Sequence, residues 1–216
     1  MADTFDLPLR CRCGAVRGVA RDAVPSKINH CFCYCDDCQA FAHYLRRADD
    51  VLDAHGGTEI VQMSPANVSF VGGMDKIAAI RLTDKGLVRW YASCCNTPIG
   101  NTMASGGVPF VGVVRAFIAA PANALGPIRG RGFAKSAKGG RDAVPKDGLP
   151  DLLMVARMVG KLLRWRLRGD HARSALFDAA TGKPLVEPRV LAAAEREELK
   201  VRCARWRGEP RAGGSA

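Results

Sequence analysis

The sequence lacks an apolar run of the roughly 20 residues that a membrane-spanning helix needs. It also lacks the basic start and apolar core of a secretory signal, because Asp3 and Asp6 lie near the beginning and no long apolar core follows them. We therefore expect a cytoplasmic protein. Disulfide frameworks are rare in that reducing compartment. The nine cysteines accordingly indicate metal ligation or thiol chemistry.

The excess of positive charge is confined to the second half of the sequence. Residues 1–119 hold 12 basic and 11 acidic side chains, whereas residues 120–216 hold 20 basic and 10 acidic ones. The cysteines have the opposite distribution, since eight lie between Cys11 and Cys95 and only Cys203 lies beyond them. This asymmetry predicts two differently built segments, with the thiol chemistry in the first.

The stretch between these segments is rich in Gly, Pro, Ala and Lys and has no period of 2 or 3.6. Such a composition buries little apolar surface, so residues 120–150 are interpreted as a linker or mobile loop. A lid over a functional site is the alternative. The predicted organisation is a first domain at 5–119, this linker, a basic helical extension at 151–206 and a disordered tail at 207–216.

The first domain is predicted to be mainly β. Its apolar segments are short, rich in Val, Ile and aromatic residues, and separated by Gly, Pro, Asp or Lys turns. The predicted strands are 15–20, 59–63, 67–72, 77–82, 87–92 and 108–118. In this part of the sequence only residues 38–50 have a helical pattern.

A basic amphipathic helix is predicted at 151–170, because charged side chains recur there at spacings of three and four and form one stripe. The stripe comprises Arg157, Lys161, Arg164 and Arg168, and the opposite, apolar side comprises Val155, Met158, Val159 and Leu162. We expect the helix to dock on the β domain by its apolar face. Contact with an anionic membrane or with nucleic acid is the alternative. A shorter helix is predicted at 191–206.

Three cysteine motifs carry the chemistry. The segment CYCDDC at 33–38 can wrap one metal ion with three thiolates and leave the fourth position of a tetrahedron open. The segment CRCG at 11–14 supplies only half a tetrahedron. Its missing partners must come from elsewhere, and ASCCNTPIG at 92–100 is the only other thiol cluster in the sequence.

These motifs, in this order and spacing, resemble those of the glutathione-dependent formaldehyde-activating enzymes, a family grouped with centromere protein V. The family pattern is CxCG, then CxCxxC about 20 residues later, then CxxC followed by a small residue, Ser or Thr, Pro and an aliphatic residue. The matching residues are Cys11, Cys13 and Gly14 for the first motif, Cys33, Cys35 and Cys38 for the second, and Cys95 to Ile99 for the end of the third. Ala92 stands where the first cysteine of the third motif belongs, and Cys94 is additional. The resemblance covers residues 8–118.

The resemblance implies a zinc-stabilised, tent-shaped β fold, a β-tent, with two zinc ions per chain and a C-terminal α-helical extension outside it. A structural zinc would be held by Cys11, Cys13 and Cys95. A catalytic zinc would be held by Cys33, Cys35 and Cys38. Because alanine cannot ligate a metal, the fourth ligand of the structural ion is predicted to be Cys94, with Cys31 as the alternative.

The implied activity is that of a carbon–sulfur lyase, in which glutathione or a similar small thiol adds to formaldehyde or another aldehyde and forms an S-hydroxymethyl adduct. Candidate groups near the second motif are Asp36, Asp37, His30 and His43 for proton transfer, and Arg46 and Arg47 for the carboxylates of glutathione. The sequence assigns the proton to none of them. The alternative function is a zinc-stabilised binding module whose basic C-terminal half contacts nucleic acid or an anionic membrane.

Overall fold

A computed structural model describes residues 5–208, which contain eleven strands and four α-helices. The strands are β1 Leu7–Arg10, β2 Arg17–Ala20, β3 Asn29–Cys33, β4 Thr58–Met63, β5 Val68–Gly72, β6 Ile77–Arg81, β7 Val88–Ala92, β8 Thr97–Thr102, β9 Val111–Val114, β10 Gly130–Gly132 and β11 Arg189–Val190. The helices are α1 Asp36–Tyr44, α2 Ala48–Val51, α3 Asp151–Leu167 and α4 Ala193–Arg207.

The strands form two sheets. The smaller sheet has the order β1-β2-β5 and is antiparallel. The larger has the order β10-β3-β4-β9-β8-β7-β6-β11, and it is antiparallel except where the outermost strands β10 and β11 pair parallel with β3 and β6. The prediction of a mainly β protein with C-terminal helices is confirmed at this level.

The main hydrophobic core lies between the two sheets, because residues of both contribute to one buried cluster. Leu7 and Leu9 enter it from the small sheet, and Trp90 enters it from β7. The Trp90 indole Nε1 donates to Thr102 Oγ1 at 2.9 Å, so the largest buried side chain has its one polar group satisfied.

The other face of the large sheet is covered by helices. Successive residues of a strand point to opposite faces, so Ala79 of β6 lies in the main core whereas Ile80 packs in a second cluster with Phe41 of α1 and Leu199 of α4. The protein therefore has three layers: the small sheet, the large sheet, and the helix pair α1 and α4.

All six predicted strands are present, five with shorter bounds and β4 one residue longer than predicted. Three further strands within the first domain, β1, β3 and β8, escaped prediction. Strand β8 is buried at every position, so its sequence TPIGNT shows no alternation of apolar and polar residues. It also contains Pro98, which lacks an N–H and normally disfavours a central strand. The register of β7 and β8 shifts between Trp90 and Tyr91, and this irregularity places Pro98 opposite Tyr91.

The helix predicted at 38–50 is divided into α1 and α2. Arg46 lies between them with φ of 55°, in the left-handed region that ends helices. The sequence does not reveal this break, because the charged residues at 46, 47, 49 and 50 continue the helical spacing across it.

The segment predicted as a linker, residues 120–150, packs along the edge of the large sheet. Strand β10 pairs with β3, Leu125 lies in the main core, and Ala134, Ala137 and Val144 form a buried cluster with Tyr34. The segment thus contributes to the fold as an edge strand with short 3-10 turns. The division of the chain into the predicted domains stays a prediction.

The expectation that α3 docks by its apolar face holds only in part, because the docked side is mixed. Met158 and Leu162 are half-buried and Trp165 is buried, but Arg157 and Lys161 lie on the same side. Arg157 Nη2 donates to the carbonyls of Ser26 and Ile28, both at 3.3 Å, and Lys161 Nζ donates to those of Ser26 and Lys27 at 2.9 and 2.8 Å. Other apolar side chains of α3 are exposed, namely Leu152, Leu153, Val155, Val159, Leu163 and Leu167. The carbonyls of residues 26–28 can accept hydrogen bonds only, which explains why Arg157 and Lys161 lie against them.

The helix predicted at 191–206 is α4, and Cys203 is buried on it. Of the predicted disordered tail, residues 209–216 lie outside the described part of the chain. No helix within residues 5–208 combines the length and apolarity needed to cross a bilayer.

Substitution of Leu125 tests whether segment 120–150 contributes to the hydrophobic core. The side chain is 1% exposed, so Leu125→Ala should lower the free energy of unfolding by about 2–5 kcal/mol through lost burial and the resulting cavity. Leu163→Ala is the control, because that side chain is 60% exposed and should change stability by about 0.5 kcal/mol or less. Urea unfolding measures both, and equal small effects would mean that the segment does not pack as described.

Candidate metal centres

The first cysteine group joins two turns that belong to different sheets. Cys11 and Cys13 lie in the turn between β1 and β2, and Cys94 and Cys95 lie in the turn between β7 and β8. Arg12 N donates to Thr97 Oγ1 at 3.0 Å and connects the two turns directly. We call this four-cysteine group the first centre.

The sulfurs of the first centre have the spacing of a tetrahedral metal site. The Sγ–Sγ distances are 3.6 Å for Cys11 and Cys13, 3.9 Å for Cys11 and Cys94, 3.3 Å for Cys13 and Cys94, and 3.9 Å for Cys94 and Cys95. Four sulfurs at about 2.3 Å from one metal lie about 3.8 Å from each other in a tetrahedron. The group can hold a metal ion, and its four donors fill every position.

The structure brings Cys94 rather than Cys31 to Cys11 and Cys13. The turn bends sharply, since Asn96 has φ of 54°, and both Cys94 and Cys95 reach the same centre. Ala92 is fully buried at the end of β7, where it pairs with Ile77 and Thr97. Adjacent cysteines therefore supply the two sulfurs that a CxxC spacing would otherwise supply.

Cys31 lies in neither group. It is buried on β3 and packs with Cys38 and Ile60. Burial raises its pKa to about 12, and the neighbouring Cys38 adds to the effect. Cys31 is thus a neutral packing side chain beside the second group.

The second cysteine group lies where β3 ends and α1 begins. The sulfurs of Cys33, Cys35 and Cys38 are all within 4.8 Å of one another, and those of Cys33 and Cys35 are 3.3 Å apart. Within the described chain, no fourth Cys, His, Asp or Glu completes this group. We call it the second centre. It can hold a metal ion and leaves one position of a tetrahedron without a donor from these residue types.

The loop that carries the second centre is held by a buried glutamine. Gln39 Nε2 donates to the carbonyl of Tyr34 at 2.8 Å and to that of Ser136 at 2.9 Å. Tyr34 N donates to the carbonyl of Gly132 at 3.0 Å, which extends the pairing of β3 and β10 by one residue. Segment 130–136 therefore fixes the backbone between Cys33 and Cys38.

A buried arginine lies beside the second centre. Arg89 of β7 is 1% exposed; its Nη1 donates to Asn101 Oδ1 at 3.2 Å and lies 3.8 Å from Cys38 Sγ. Its Nη2 is 3.4 Å from Asp37 Oδ2, on a side chain that is half exposed. A buried guanidinium without a counter-charge is strongly destabilising, so the negative charge of the sulfurs is part of what keeps Arg89 in the core.

The thiols of each centre differ in their readiness to ionise. Hydrogen bonds from Cys33 and Cys35, aided by Arg89, hold the pKa of Cys38 well below its ordinary value. The hydrogen bond with Cys35 is the main cause that raises the pKa of Cys33. In the first centre, burial opposes the change, but hydrogen bonds with Thr97 and Cys13 lower the pKa of Cys95 to about 6. Each centre therefore has one thiol that deprotonates more readily than its neighbours.

The histidines expected near the second motif have structural surroundings. His30 is buried, with Nδ1 at 3.0 Å from the carbonyl of Gly126 and Nε2 at 2.8 Å from Glu59 Oε1. His43 packs edge-on against Trp206, and burial lowers its pKa. Both rings are thus engaged in packing or hydrogen bonding within the fold.

The charged candidates divide between the centres. Asp36 pairs with Arg207 at 3.1 Å, whereas Asp37 contacts Arg89 and so reaches the second centre indirectly. Arg47 donates to the carbonyl of Cys95 at 3.2 Å and to Asp50 at 2.7 Å, so it supports the first centre. Arg46, in the left-handed conformation, lies between α1 and α2.

Sequence reasoning missed Arg89, Gln39 and the Tyr34 contacts. The motif CYCDDC contains Tyr34 and ends one residue before Gln39, but their partners lie some 100 residues away in a segment of linker-like composition. Arg89 stands between two apolar positions in a strand pattern, where an arginine normally faces solvent. Its burial depends on a long-range contact that no local spacing encodes.

Comparison with known families places the chain in one of them. A model described as a family of unknown function, DUF6151, matches residues 4–188. The match covers most of the chain, so the protein belongs to this family. It includes both cysteine centres, segment 120–150 and α3, and it ends just before β11. No curated protein matches the chain significantly.

Substitution of one cysteine in each centre should separate their roles. Cys13→Ser should unfold the β domain, because a closed metal site contributes folding free energy, of order 10 kcal/mol in small zinc peptides. Cys35→Ser should lose one metal ion yet remain folded, because the first centre and the core between the sheets are intact. Native mass spectrometry and circular dichroism give metal content and fold. An unfolded Cys35→Ser beside a folded Cys13→Ser would reverse the assignment of the two centres.

Proposed function

We propose that this member of the DUF6151 family is a zinc protein that acts as a carbon–sulfur lyase or thiol-adduct enzyme on glutathione, or a similar small thiol, and an aldehyde. The observation that carries the proposal is the difference between the centres: four sulfurs meet in the first and three in the second. A closed site suits a structural ion, and an open site suits a catalytic one.

The donor sets favour zinc. Both groups consist of cysteine sulfur, a soft donor that selects Zn, Cu(I) or iron–sulfur clusters over Mg and Ca. The sulfur spacing of the first centre fits a single tetrahedral ion. Resemblance to the glutathione-dependent formaldehyde-activating enzymes supports two zinc ions per chain and a β-tent arrangement of the two sheets.

Charge balance supports a reactive second centre. Three thiolates and a Zn²⁺ ion have a net charge of about −1, and the buried Arg89 guanidinium beside Cys38 offsets it. A neutralised centre admits a negatively charged thiolate ligand more readily than an uncompensated one. Cys33 and Cys35 are only partly buried, so a small thiol can approach from their side.

The proposed reaction is an addition without oxidation or reduction. A zinc ion held by Cys33, Cys35 and Cys38 would supply a coordination position that keeps an incoming thiol ionised. The thiol sulfur forms a bond to the aldehyde carbon, the carbonyl π electrons move to oxygen, and the proton lost by the thiol is returned to that oxygen. The chain contributes by holding thiol and aldehyde close together, with Gln39 keeping the cysteine loop rigid.

The test is formation of S-hydroxymethylglutathione from glutathione and formaldehyde above the uncatalysed rate. Cys35→Ser should abolish the enzymatic rate because the second centre loses its ion. Cys31→Ala is the matched control, since it removes a thiol next to the second centre that belongs to neither group, and it should retain both zinc ions and the activity. A wild-type protein with two zinc ions and no rate above background, for several small thiols and aldehydes, would reject the lyase.

A second candidate function, binding to an anionic membrane, is favoured by the exposed apolar residues of α3. Leu152, Val155, Val159 and Leu163 follow one another at spacings of three and four and face away from the body of the protein. Arg164, Arg166 and Arg168 are also exposed on the last turns. Such a helix can lie in a headgroup region with its apolar face inserted. A membrane fits this surface better than nucleic acid, because the exposed apolar residues insert into lipid, whereas two of the four stripe residues, Arg157 and Lys161, are turned towards residues 26–28.

Vesicle sedimentation tests this second function. Val159→Ser combined with Leu163→Ser should weaken binding to phosphatidylserine vesicles by at least about tenfold, because each apolar side chain contributes about 1.5–3 kcal/mol on burial. The control combines Val71→Ser and Leu185→Ser, two comparably exposed side chains outside α3. Equal affinities of the two double variants, or no sedimentation of the wild type, would reject membrane binding through α3.

A further inference from the structure

A small polar pocket lies between α3 and the loop that precedes β3. Its volume is about 260 Å³, below the roughly 300–1000 Å³ of pockets for drug-sized ligands. Its lining is dominated by charged and hydroxyl side chains, and five of them are basic, namely Lys27, Arg157, Lys161, Arg164 and Arg168. Neither cysteine centre contributes to it.

The two carboxylates of the pocket already have partners. Asp22 forms an ion pair with Lys27. Asp170 is buried, accepts a hydrogen bond from Ser64 Oγ at 2.7 Å and pairs with Arg173. Neither carboxylate is therefore available to neutralise the basic residues of α3.

Four basic side chains that line the pocket, three on α3 and Arg168 directly after it, have no carboxylate partner among residues 5–208. Arg157 and Lys161 donate to backbone carbonyls, and the Nε of Arg157 is buried without a partner in this part of the chain. Arg164 and Arg168 line the same pocket and, within the described residues, make no side-chain hydrogen bond or ion pair. The pocket thus concentrates positive charge and unused donors in a concave site.

The electrostatic surroundings of Lys161 agree with this description. Burial lowers its pKa to about 8, and the positive charges of Arg157, Arg164 and Arg129 add to the effect. A bound anion would relieve this repulsion.

We propose that this pocket binds the phosphomonoester group of a small phosphorylated metabolite or of a lipid headgroup. Arginine forks match the oxygens of a phosphate, and charge-assisted bonds to phosphate are stronger than neutral ones. The small volume and concave shape suit one phosphate with few further atoms. The site differs in ligand and location from the cysteine centres and does not depend on the proposed lyase activity.

Thermal unfolding in inorganic phosphate tests the site, with potassium chloride added to keep ionic strength constant. The melting temperature of the wild type should rise with phosphate concentration, as binding to the native state requires. Arg164→Gln combined with Arg168→Gln should weaken the apparent Kd by about tenfold or more, because a charge-assisted bond is equivalent to roughly one factor of ten. These two side chains make no bonds within the described fold, so the double variant should remain folded.

Arg166→Gln is the matched control. It removes one positive charge from between the two tested positions, but Arg166 donates to the carbonyl of Gly107 and does not line the pocket. It should retain the wild-type response to phosphate. A melting temperature that depends only on ionic strength, or equal Kd values for all three proteins, would overturn the proposal.

Two further probes distinguish the sources of the phosphate. Glycerol 3-phosphate should bind if the ligand is a free metabolite, whereas vesicles with phosphatidic acid should bind, and be displaced by inorganic phosphate, if it is a headgroup. Loss of either response in Arg164→Gln with Arg168→Gln supports the pocket as the site. The vesicles are tested in the Val159→Ser, Leu163→Ser background, which lacks the apolar face of α3. Vesicle binding there that survives Arg164→Gln with Arg168→Gln and is not displaced by phosphate would contradict the pocket as the site. Val159→Ser with Leu163→Ser should leave binding of inorganic phosphate unchanged, which separates this pocket from the apolar face of α3.

Discussion

Four cysteine sulfurs of the first centre converge within 4.8 Å of one another. As thiolates they would repel each other strongly unless a cation lay between them, so the convergence of the two turns that carry them constrains the whole β region. Two of the cysteines come from the turn that opens the small sheet, and two come from a hairpin of the large sheet. The two turns meet in the same arrangement in which the sheets pack around Trp90. Sulfur chemistry and hydrophobic packing therefore specify the same arrangement.

The second centre is governed by a different balance, between charge and burial. Arg89 is held in the core by contacts with Cys38, Asn101 and Asp37, and the cysteine loop is held by Gln39. Removing one partner from such a network leaves a buried polar group unsatisfied. The partly exposed cysteines Cys33 and Cys35 are thus held in position by contacts of the buried residues Arg89 and Gln39.

Much of the fold and both cysteine groups were predictable from local pattern. Strands such as β4 and β7 have the β-branched and aromatic residues that mark them, and the CxC and CxCxxC spacings bring sulfurs together whatever the tertiary fold. Strand β8 was missed because it is buried on both faces and contains Pro98. Strand β10, with the sequence Gly-Arg-Gly, has no intrinsic preference and exists only because β3 offers an unpaired edge. The exposure of Val155 and Val159 on α3 was missed because periodicity gives the faces of a helix but not which residues of each face dock.

The pairing of β10 with β3 affects the order in which the two cysteine centres are completed while the chain is synthesised. All four sulfurs of the first centre have been made once Cys95 has been added to the growing chain. The sulfurs of the second centre are made earlier, but the backbone that braces their loop ends at Ser136. Synthesis thus completes the sulfurs of the second centre before those of the first, but it completes the backbone contacts that hold the second loop only after both.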